Sequence, residues 1–219
     1  MADWFKRGRR KQQDPNFPDE TPLQSLTYAV LDTEFTSLDS RSNRLLSIGA
    51  ITMQGTKICL GDQFYRVVNP GVIVPAQGVL IHRLRQRDVE HGEPIPQALD
   101  SLAQFISGKV LVGHFVNIDL KLLRKELAEE AGRFTNPALD TAQAHRWLVR
   151  NSGYREDLGY QLENVDLATL AKHYRLEFRE AHNALEDAYV TARLWQKLLC
   201  ALEAKGVHTL GEALRIAAA

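Results

Sequence analysis

The segment that most constrains the fold is LTYAVLDTEF, an apolar and β-branched run that ends in two carboxylates. Such a run is typical of a strand that begins inside a hydrophobic core. Residues two apart in a strand point to the same face, so Asp32 and Glu34 are expected about 6.5–7 Å apart along one face. Like charges that close repel each other unless a cation or solvent screens them. The pair therefore indicates either a divalent-metal site or a solvated strand end.

The order of the remaining segments predicts a layered α/β fold. The runs RLLSIGAITM and DQFYRVVNPG follow the first strand closely, which is typical of an antiparallel meander. Helical periodicities then alternate with short strands in KVLVGHF and NPALDT, and the longest helix is expected to stop at Gly206. Strands followed by alternating helices and strands indicate helices packed on a mixed sheet.

Three regions are predicted along the 219 residues. Residues 1–24 are polar, charged and proline-containing, which predicts a disordered basic tail, with folded structure starting near Leu26. Residues 25–201 are expected to form one domain, and residues 202–219 a short C-terminal extension.

Composition narrows the class of protein. Lys plus Arg and Asp plus Glu both total 27, and this balance argues against a protein that coats nucleic acid but not against one that holds a strand end. The two cysteines, Cys59 and Cys200, are far apart and form no C-x-x-C pattern, so a reducing cytoplasm is the expected location. The sequence shows neither a secretory signal nor an apolar run long enough for a membrane helix.

Three more residues are candidates for chemistry, each with a plainer alternative. Asp119 follows the strand KVLVGHF at a helix start, where an acid also favours the helix dipole. Asp187 lies beside an apolar stripe that includes Leu194 and Leu198, and a buried carboxylate needs a proton, a partner or a metal. The plainer alternative is an acid that favours the helix dipole, a role that Glu186 already fills. His182 precedes the same helix; a neutral imidazole there would accept a proton from water, although an exposed loop histidine has the same sequence pattern.

The order of these segments carries a family resemblance. LDTEFTSLD, GHFVNIDLKLL and HNALEDA resemble the three motifs of the DnaQ-like (DEDDh) exonuclease family, which includes the exonuclease domain of the DNA polymerase III epsilon subunit. The resemblance spans residues 27–199 and continues between the motifs in VVNPGVIVP, LIHRLRQRDV and NPALDT. It implies a ribonuclease H-like fold, with a mixed five-stranded sheet flanked by helices.

The resemblance also implies the roles of individual residues. Asp32, Glu34, Asp119 and Asp187 would bind two divalent metal ions, Mg²⁺ or Mn²⁺, and His182 would act as general base. Further residues would hold the terminal nucleotide of the substrate. These are Thr33, Phe35, Thr36, Leu38, His82 and His114.

The chain departs from the family pattern at three places. Phe35, Thr36 and Ser37 follow the first glutamate, where the family usually has Thr-Thr-Gly. The second motif has Phe115 where the family usually has Asn after the histidine, and Arg83 replaces a frequent Gly. None of these changes removes a proposed metal ligand or the base, so they bear on the shape of the nucleotide pocket.

The sequence therefore predicts a metal-dependent 3′→5′ exonuclease that releases nucleoside monophosphates from DNA 3′ ends. Three alternatives stay open: an exoribonuclease that trims RNA ends, a proofreading subunit of a DNA polymerase complex, and a catalytically inactive nucleic-acid-binding module. The expected partners are a nucleic-acid 3′ end, with DNA favoured over RNA, and polymerase or repair proteins, with no membrane. The presence of all five proposed catalytic residues argues against the inactive module.

Overall fold

The computed structural model describes residues 17–37, 42–76, 78–79, 83–127, 134–152, 163–178 and 183–219. Its strands form one mixed sheet. They are β1 Thr27–Phe35, β2 Leu45–Gln54, β3 Lys57–Asn69, β4 Glu93–Pro94, β5 Val110–Gly113 and β6 Ala138–Asp140. Its α-helices are α1 Gln86–Glu90, α2 Ile95–Ile106, α3 Asn117–Glu126, α4 Thr141–Arg150, α5 Leu167–His173, α6 Ala184–Ala204 and α7 Leu210–Ala217.

The strand order is β4-β3-β2-β1-β5-β6, which places β1 inside the sheet. The first three strands form the predicted antiparallel meander, and β5 and β6 run parallel to β1. The predicted mixed sheet flanked by helices is confirmed, but the described residues form six strands rather than five. The additional strand is the two-residue β4, which pairs in parallel with the end of β3 and is too short to give a sequence signal.

Both faces of the sheet are covered, so the core has two layers. On one face Trp195 of α6 is fully buried and meets Tyr28 of β1 edge-to-face, with ring centroids 5.9 Å apart. On the other face Leu31 of β1 packs in a cluster with Leu99 of α2 and Leu123 of α3. Because side chains alternate between faces, β1 contributes to both layers.

The described structure begins before the predicted start near Leu26. Phe17 and Leu23 belong to the core beneath α6 and α7, whereas residues 1–16 lie outside the described residues. At the other end, Gly206 follows α6 with a φ of 83°, as expected of a glycine just past a helix. The C-terminal extension contains α7, which starts at a capping box of Thr209 and Glu212.

None of the helices in the described residues is long and apolar enough to cross a membrane.

Candidate active site

Three carboxylates meet where β1 ends. Asp32 and Glu34 lie on β1 and Asp187 lies in the first turn of α6, and one ligand oxygen from each falls within 4.8 Å of the others. The two β1 acids continue the face that carries Tyr28 and Val30, which pack in the same core as α6. The face of β1 that contacts α6 therefore changes from apolar to acidic at the point where α6 begins.

Gly49 of β2 allows α6 to come this close. It is the register partner of Asp32, so the two residues point to the same face of the sheet. A Cβ at Gly49 would lie 2.2 Å from the carbonyl carbon of Ala184 and 2.2 Å from the amide nitrogen of Leu185. The backbone of the first turn of α6 thus contacts the sheet directly, which places Asp187 beside the β1 acids.

The start of α6 is fixed by Asn183. Its Oδ1 accepts hydrogen bonds from the amides of Leu185 at 3.0 Å and Glu186 at 3.3 Å, and its carbonyl accepts from the Asp187 amide at 2.9 Å. The Asn183 Nδ2 donates to the hydroxyl of Tyr65 on β3 at 3.2 Å. This side-chain pair links the third strand to the helix end that carries Asp187.

The fourth acid, Asp119, is buried in the first turn of α3. Its Oδ1 accepts from the amide of Thr33 at 3.0 Å and from the Thr33 hydroxyl at 2.6 Å. The turn before α3 is held by Asp140, whose Oδ2 accepts from the Val116 amide at 3.0 Å. Asp119 is not one of the three carboxylates that meet within 4.8 Å, but its charge helps to raise the pKa of Asp32.

Three of the four acids, Asp32, Glu34 and Asp119, lie where negative charge is unfavourable. Burial, followed by the charges of Asp119, Asp187 and Glu34, raises the pKa of Asp32 well above its usual range. Burial, followed by the charges of Asp187 and Asp119, raises the pKa of Glu34 to about 8. Burial also raises the pKa of Asp119 to about 7, even though the Thr33 hydrogen bonds act in the opposite direction.

A bound cation would reverse this preference by compensating the negative charge. Carboxylate oxygens are the ligands that Mg²⁺ and Mn²⁺ prefer, so the donor atoms fit the predicted ions.

Both threonines that are predicted to contact the nucleotide make side-chain hydrogen bonds within the protein. The Thr33 hydroxyl bonds to Asp119, and the Thr36 hydroxyl accepts from the Arg44 amide at 3.0 Å. Phe35 is half-buried and packs against the core on the α2 and α3 side of the sheet. These residues shape the end of β1, and their roles in nucleotide binding stay predictions.

His114, another predicted nucleotide contact, also makes a hydrogen bond within the protein. Its Nδ1 is 2.8 Å from the hydroxyl of Thr141 at the start of α4. Burial lowers the pKa of His114 to about 4, so the ring is neutral at physiological pH. His182, His82 and Leu38 lie outside the described residues, and their predicted roles stay predictions.

Phe115, two residues before α3, adopts a φ of 54°, in the left-handed region that is unfavourable for a bulky side chain. The family usually has Asn at this position, and Asn tolerates this conformation. The departure noted in the sequence therefore falls on a strained position next to the helix of Asp119.

Sequence reasoning missed Gly49 and Asp140 as residues that position the site. A glycine inside the apolar run RLLSIGAITM was an available signal, because such a glycine often marks a close approach of backbone. For Asp140 the available signal was its position, since an acid between the end of a strand and the start of a helix often caps the helix. Its Oδ1 caps α4.

Comparison with known proteins places this chain in a family. A family model described as Exonuclease matches residues 29–195, which is more than half of the chain. The chain belongs to the exonuclease family. A relative named DNA polymerase III subunit epsilon-like protein, from Rhodobacter capsulatus, is 31% identical over 196 residues, covering 89% of this chain and 27% of that protein. The chain thus spans only about a quarter of that relative's length.

A second relative is closer in size. The DNA polymerase III subunit epsilon of Aquifex aeolicus is 26% identical over 174 residues, covering 79% of this chain and 80% of that protein. Among solved structures, the nuclease domain of 3′hExo, described as a DEDDh family member bound to rAMP, matches with a TM-score of 0.63. At 13% identity, covering 80% of this chain and 92% of that domain, this match shows that the fold is shared.

Proposed function

We propose that this protein is a metal-dependent 3′→5′ exonuclease that releases nucleoside monophosphates from DNA 3′ ends. The observation that carries the proposal is the meeting of Asp32, Glu34 and Asp187 within 4.8 Å at a buried strand end. Burial and mutual repulsion would keep protons on such a cluster at neutral pH, whereas a divalent cation would favour its ionised form.

Each acid has a separate role in the proposal. Asp32, Glu34 and Asp187 would hold the metal ion on the side of the attacking water, and Asp32 would also help to hold the second ion. Asp119 acts on the side of the leaving group. When bound, the two ions supply charge neutralisation and a more acidic water. His182 would accept a proton from the attacking water.

DNA is favoured as substrate by the names of the relatives, which are DNA polymerase III epsilon and epsilon-like proteins. The same names favour a polymerase as partner, so a proofreading subunit is the second candidate. The rAMP bound to 3′hExo supports the exoribonuclease alternative. A direct comparison of DNA and RNA substrates decides between these polymers.

The test is a gel time course with 5′-labelled and 3′-labelled single-stranded DNA and RNA oligomers, in Mg²⁺, Mn²⁺ or EDTA. We expect a metal-dependent ladder from the 5′ label and mononucleotide release from the 3′ label. Asp187→Asn and Asp32→Asn should remove this activity and keep the fold, because each loses a metal ligand. Asp62→Asn, at a half-exposed carboxylate that pairs with Lys109, is the matched control and should stay active.

Near-normal turnover by Asp32→Asn or Asp187→Asn at saturating Mg²⁺ would refute the assignment of the metal site. Mononucleotide release from the 5′ end instead would refute the proposed direction.

A further inference from the structure

A buried hydroxyl, that of Ser47 on β2, lies beside the carboxylate cluster. Ser47 is the register partner of Glu34 on β1, so both side chains point to the same face of the sheet. The next pair on that face is Gly49 and Asp32. Opposed Cβ atoms in an antiparallel pair are about 4.5–5.5 Å apart, a separation that a glutamate side chain can span. The Ser47 hydroxyl is therefore within reach of the Glu34 carboxylate.

The Ser47 hydroxyl is not satisfied within the fold. Ser47 is fully buried, and its Oγ makes no well-formed hydrogen bond to any of the described residues. Tyr65 of β3 is a polar neighbour: burial raises the pKa of its phenol, and the side chains of Asn183 and Ser47 act in the opposite direction. The Tyr65 hydroxyl is already bonded to the Asn183 Nδ2 at 3.2 Å. Ser47 thus keeps a buried donor available, which is unfavourable unless an acceptor exists.

Space alone does not explain a serine at this position. β2 is apolar on both sides of Ser47, where Leu45, Leu46 and Ile48 are fully buried. Alanine would fill nearly the same volume without burying a hydroxyl, so it would be the more favourable residue if the hydroxyl had no acceptor in any state. The serine therefore suits a state of the protein in which its hydroxyl has an acceptor.

Glu34 is a proposed metal ligand whose carboxylate lacks a donor. Asp119 accepts two hydrogen bonds from Thr33, whereas the Glu34 carboxylate accepts none from the part of the chain that the structure describes. A carboxylate that binds a cation keeps lone pairs for a hydrogen bond, and such bonds commonly hold ligating carboxylates in place. Because a change of one side-chain torsion re-aims a serine hydroxyl, Ser47 can supply the donor that Glu34 lacks.

We propose that Ser47 is a positioning residue for Glu34: its hydroxyl donates a hydrogen bond to the Glu34 carboxylate and so fixes the orientation of that carboxylate toward a bound cation. Ser47 would thereby do for Glu34 what Thr33 does for Asp119. This inference rests on the proposed function for the role of Glu34 as a metal ligand, and it adds to that site a residue that touches neither metal nor substrate.

The test measures two quantities on Ser47→Ala: Mn²⁺ affinity by calorimetric titration without substrate, and urea unfolding in EDTA. Mn²⁺ affinity should fall about tenfold or more, because removing a group that holds a metal ligand typically costs roughly 10–100-fold. Stability in EDTA should be equal or higher, because the variant removes a buried hydroxyl that has no well-formed bond. Unchanged Mn²⁺ affinity would overturn the proposal, and so would reduced stability in EDTA, which would give the hydroxyl a purely structural role.

Thr191→Val is the matched control. Thr191 is also fully buried, its Oγ1 likewise has no hydrogen-bond partner among the described residues, and it lies one turn beyond Asp187 on α6. Valine keeps the branched shape and removes only the hydroxyl, so Mn²⁺ affinity should stay at the wild-type value. An equal loss of Mn²⁺ affinity in Thr191→Val and Ser47→Ala would overturn the proposal, because it would show a general effect of buried hydroxyls near the acids.

A double variant identifies the acceptor. If Ser47 donates to Glu34, the loss of Mn²⁺ affinity caused by Ser47→Ala should be the same in a Tyr65→Phe background as in the wild type, because the two changes then act independently. If Ser47 acts through the Tyr65 hydroxyl, Ser47→Ala should have no further effect in that background. The second result would overturn the assignment of Glu34 as the acceptor.

These measurements separate the inference from the function on which it rests, because none of them uses a nucleic acid. If the wild type binds Mn²⁺ but cleaves no oligomer, the proposed function fails while the affinities still decide the role of Ser47. If the wild type cleaves oligomers and Ser47→Ala binds Mn²⁺ as tightly as the wild type, only the inference about Ser47 fails. A wild type that binds no Mn²⁺ would overturn both.

Discussion

Replacing Gly49 with Ala tests whether the close contact between α6 and the sheet positions the proposed metal ligands. The added Cβ would lie 2.2 Å from the carbonyl carbon of Ala184, whereas carbon atoms in contact are normally about 3.5–4.0 Å apart. Because the opposing atoms are backbone, no side-chain rotation relieves the overlap. The start of α6 must move by roughly 1.3 Å or more, and it carries Asp187 with it.

Two consequences follow from that movement. Overpacking of this kind costs typically about 1–3 kcal/mol of unfolding free energy. Mg²⁺ needs its oxygens at about 2.0–2.1 Å in near-octahedral geometry, so a shift of roughly 1 Å in one ligand should also weaken metal binding. Urea unfolding in EDTA measures the first effect, and Mn²⁺ titration with exonuclease assays measures the second.

Gly61→Ala is the control, because Gly61 also lies in a strand but has no atom within 4 Å of an added Cβ. That variant should match the wild type in metal affinity, and its stability should be equal or up to about 1 kcal/mol higher, since alanine restricts the unfolded chain. A Gly49→Ala protein with wild-type stability would refute the packing argument. Reduced stability of Gly49→Ala with unchanged metal affinity would show that the contact between α6 and the sheet does not set the position of Asp187.

Two other predictions concern the acids and the cap of α6. In EDTA, the free energy of unfolding should fall as the pH rises from about 4.5 to 8. Over this range Glu34 and Asp119 keep their protons in the folded state but lose them in the unfolded chain, because folding raises their pKa values to about 8 and about 7. Urea unfolding at several pH values checks this, and a stability that rises with pH over that window would contradict it. Tyr65→Phe removes the hydroxyl bonded to Asn183 and should lower Mn²⁺ affinity several-fold. Tyr28→Phe is the control, because Tyr28 lies about 13 Å along β1 from the acids, and it should not change Mn²⁺ affinity in the same titration. Equal affinities for the wild type, Tyr65→Phe and Tyr28→Phe would refute a role for the hydrogen bond between Asn183 and Tyr65.

Much of the site could be predicted because it depends on local rules. Asp32 and Glu34 share a face through the two-residue period of a strand, and that period can be read from LTYAVLDTEF alone. The meander of β1, β2 and β3 was predictable for the same reason, since strands separated by short turn-like stretches usually pair as neighbours. Asp187 was predictable as a candidate because a carboxylate beside an apolar helical stripe needs a compensating partner.

The remaining features depend on contacts between distant parts of the chain. Phe17 and Leu23 enter the core because Pro22 and Thr209 form a β-bridge, a pairing that no local pattern reveals. Likewise, the hydrogen bond between Asn183 and Tyr65 joins residues 118 positions apart. Sequence patterns identify which residues are polar in an apolar setting, but the distances between them are set by tertiary packing.

Contacts that need no metal fix the positions of the four acids. The close contact at Gly49 sets the distance between α6 and the sheet. The Thr33 hydrogen bonds hold Asp119, and Asp140 fixes the turn before α3. Burial and mutual repulsion oppose this arrangement when the acids are ionised, and they raise the pKa values of Asp32, Glu34 and Asp119. The folded chain therefore bears the electrostatic free energy of bringing the acids together, and a bound cation would relieve it. The ligands that a cation would meet are already held by contacts within the protein, which is the kind of preorganisation that electrostatic catalysis uses.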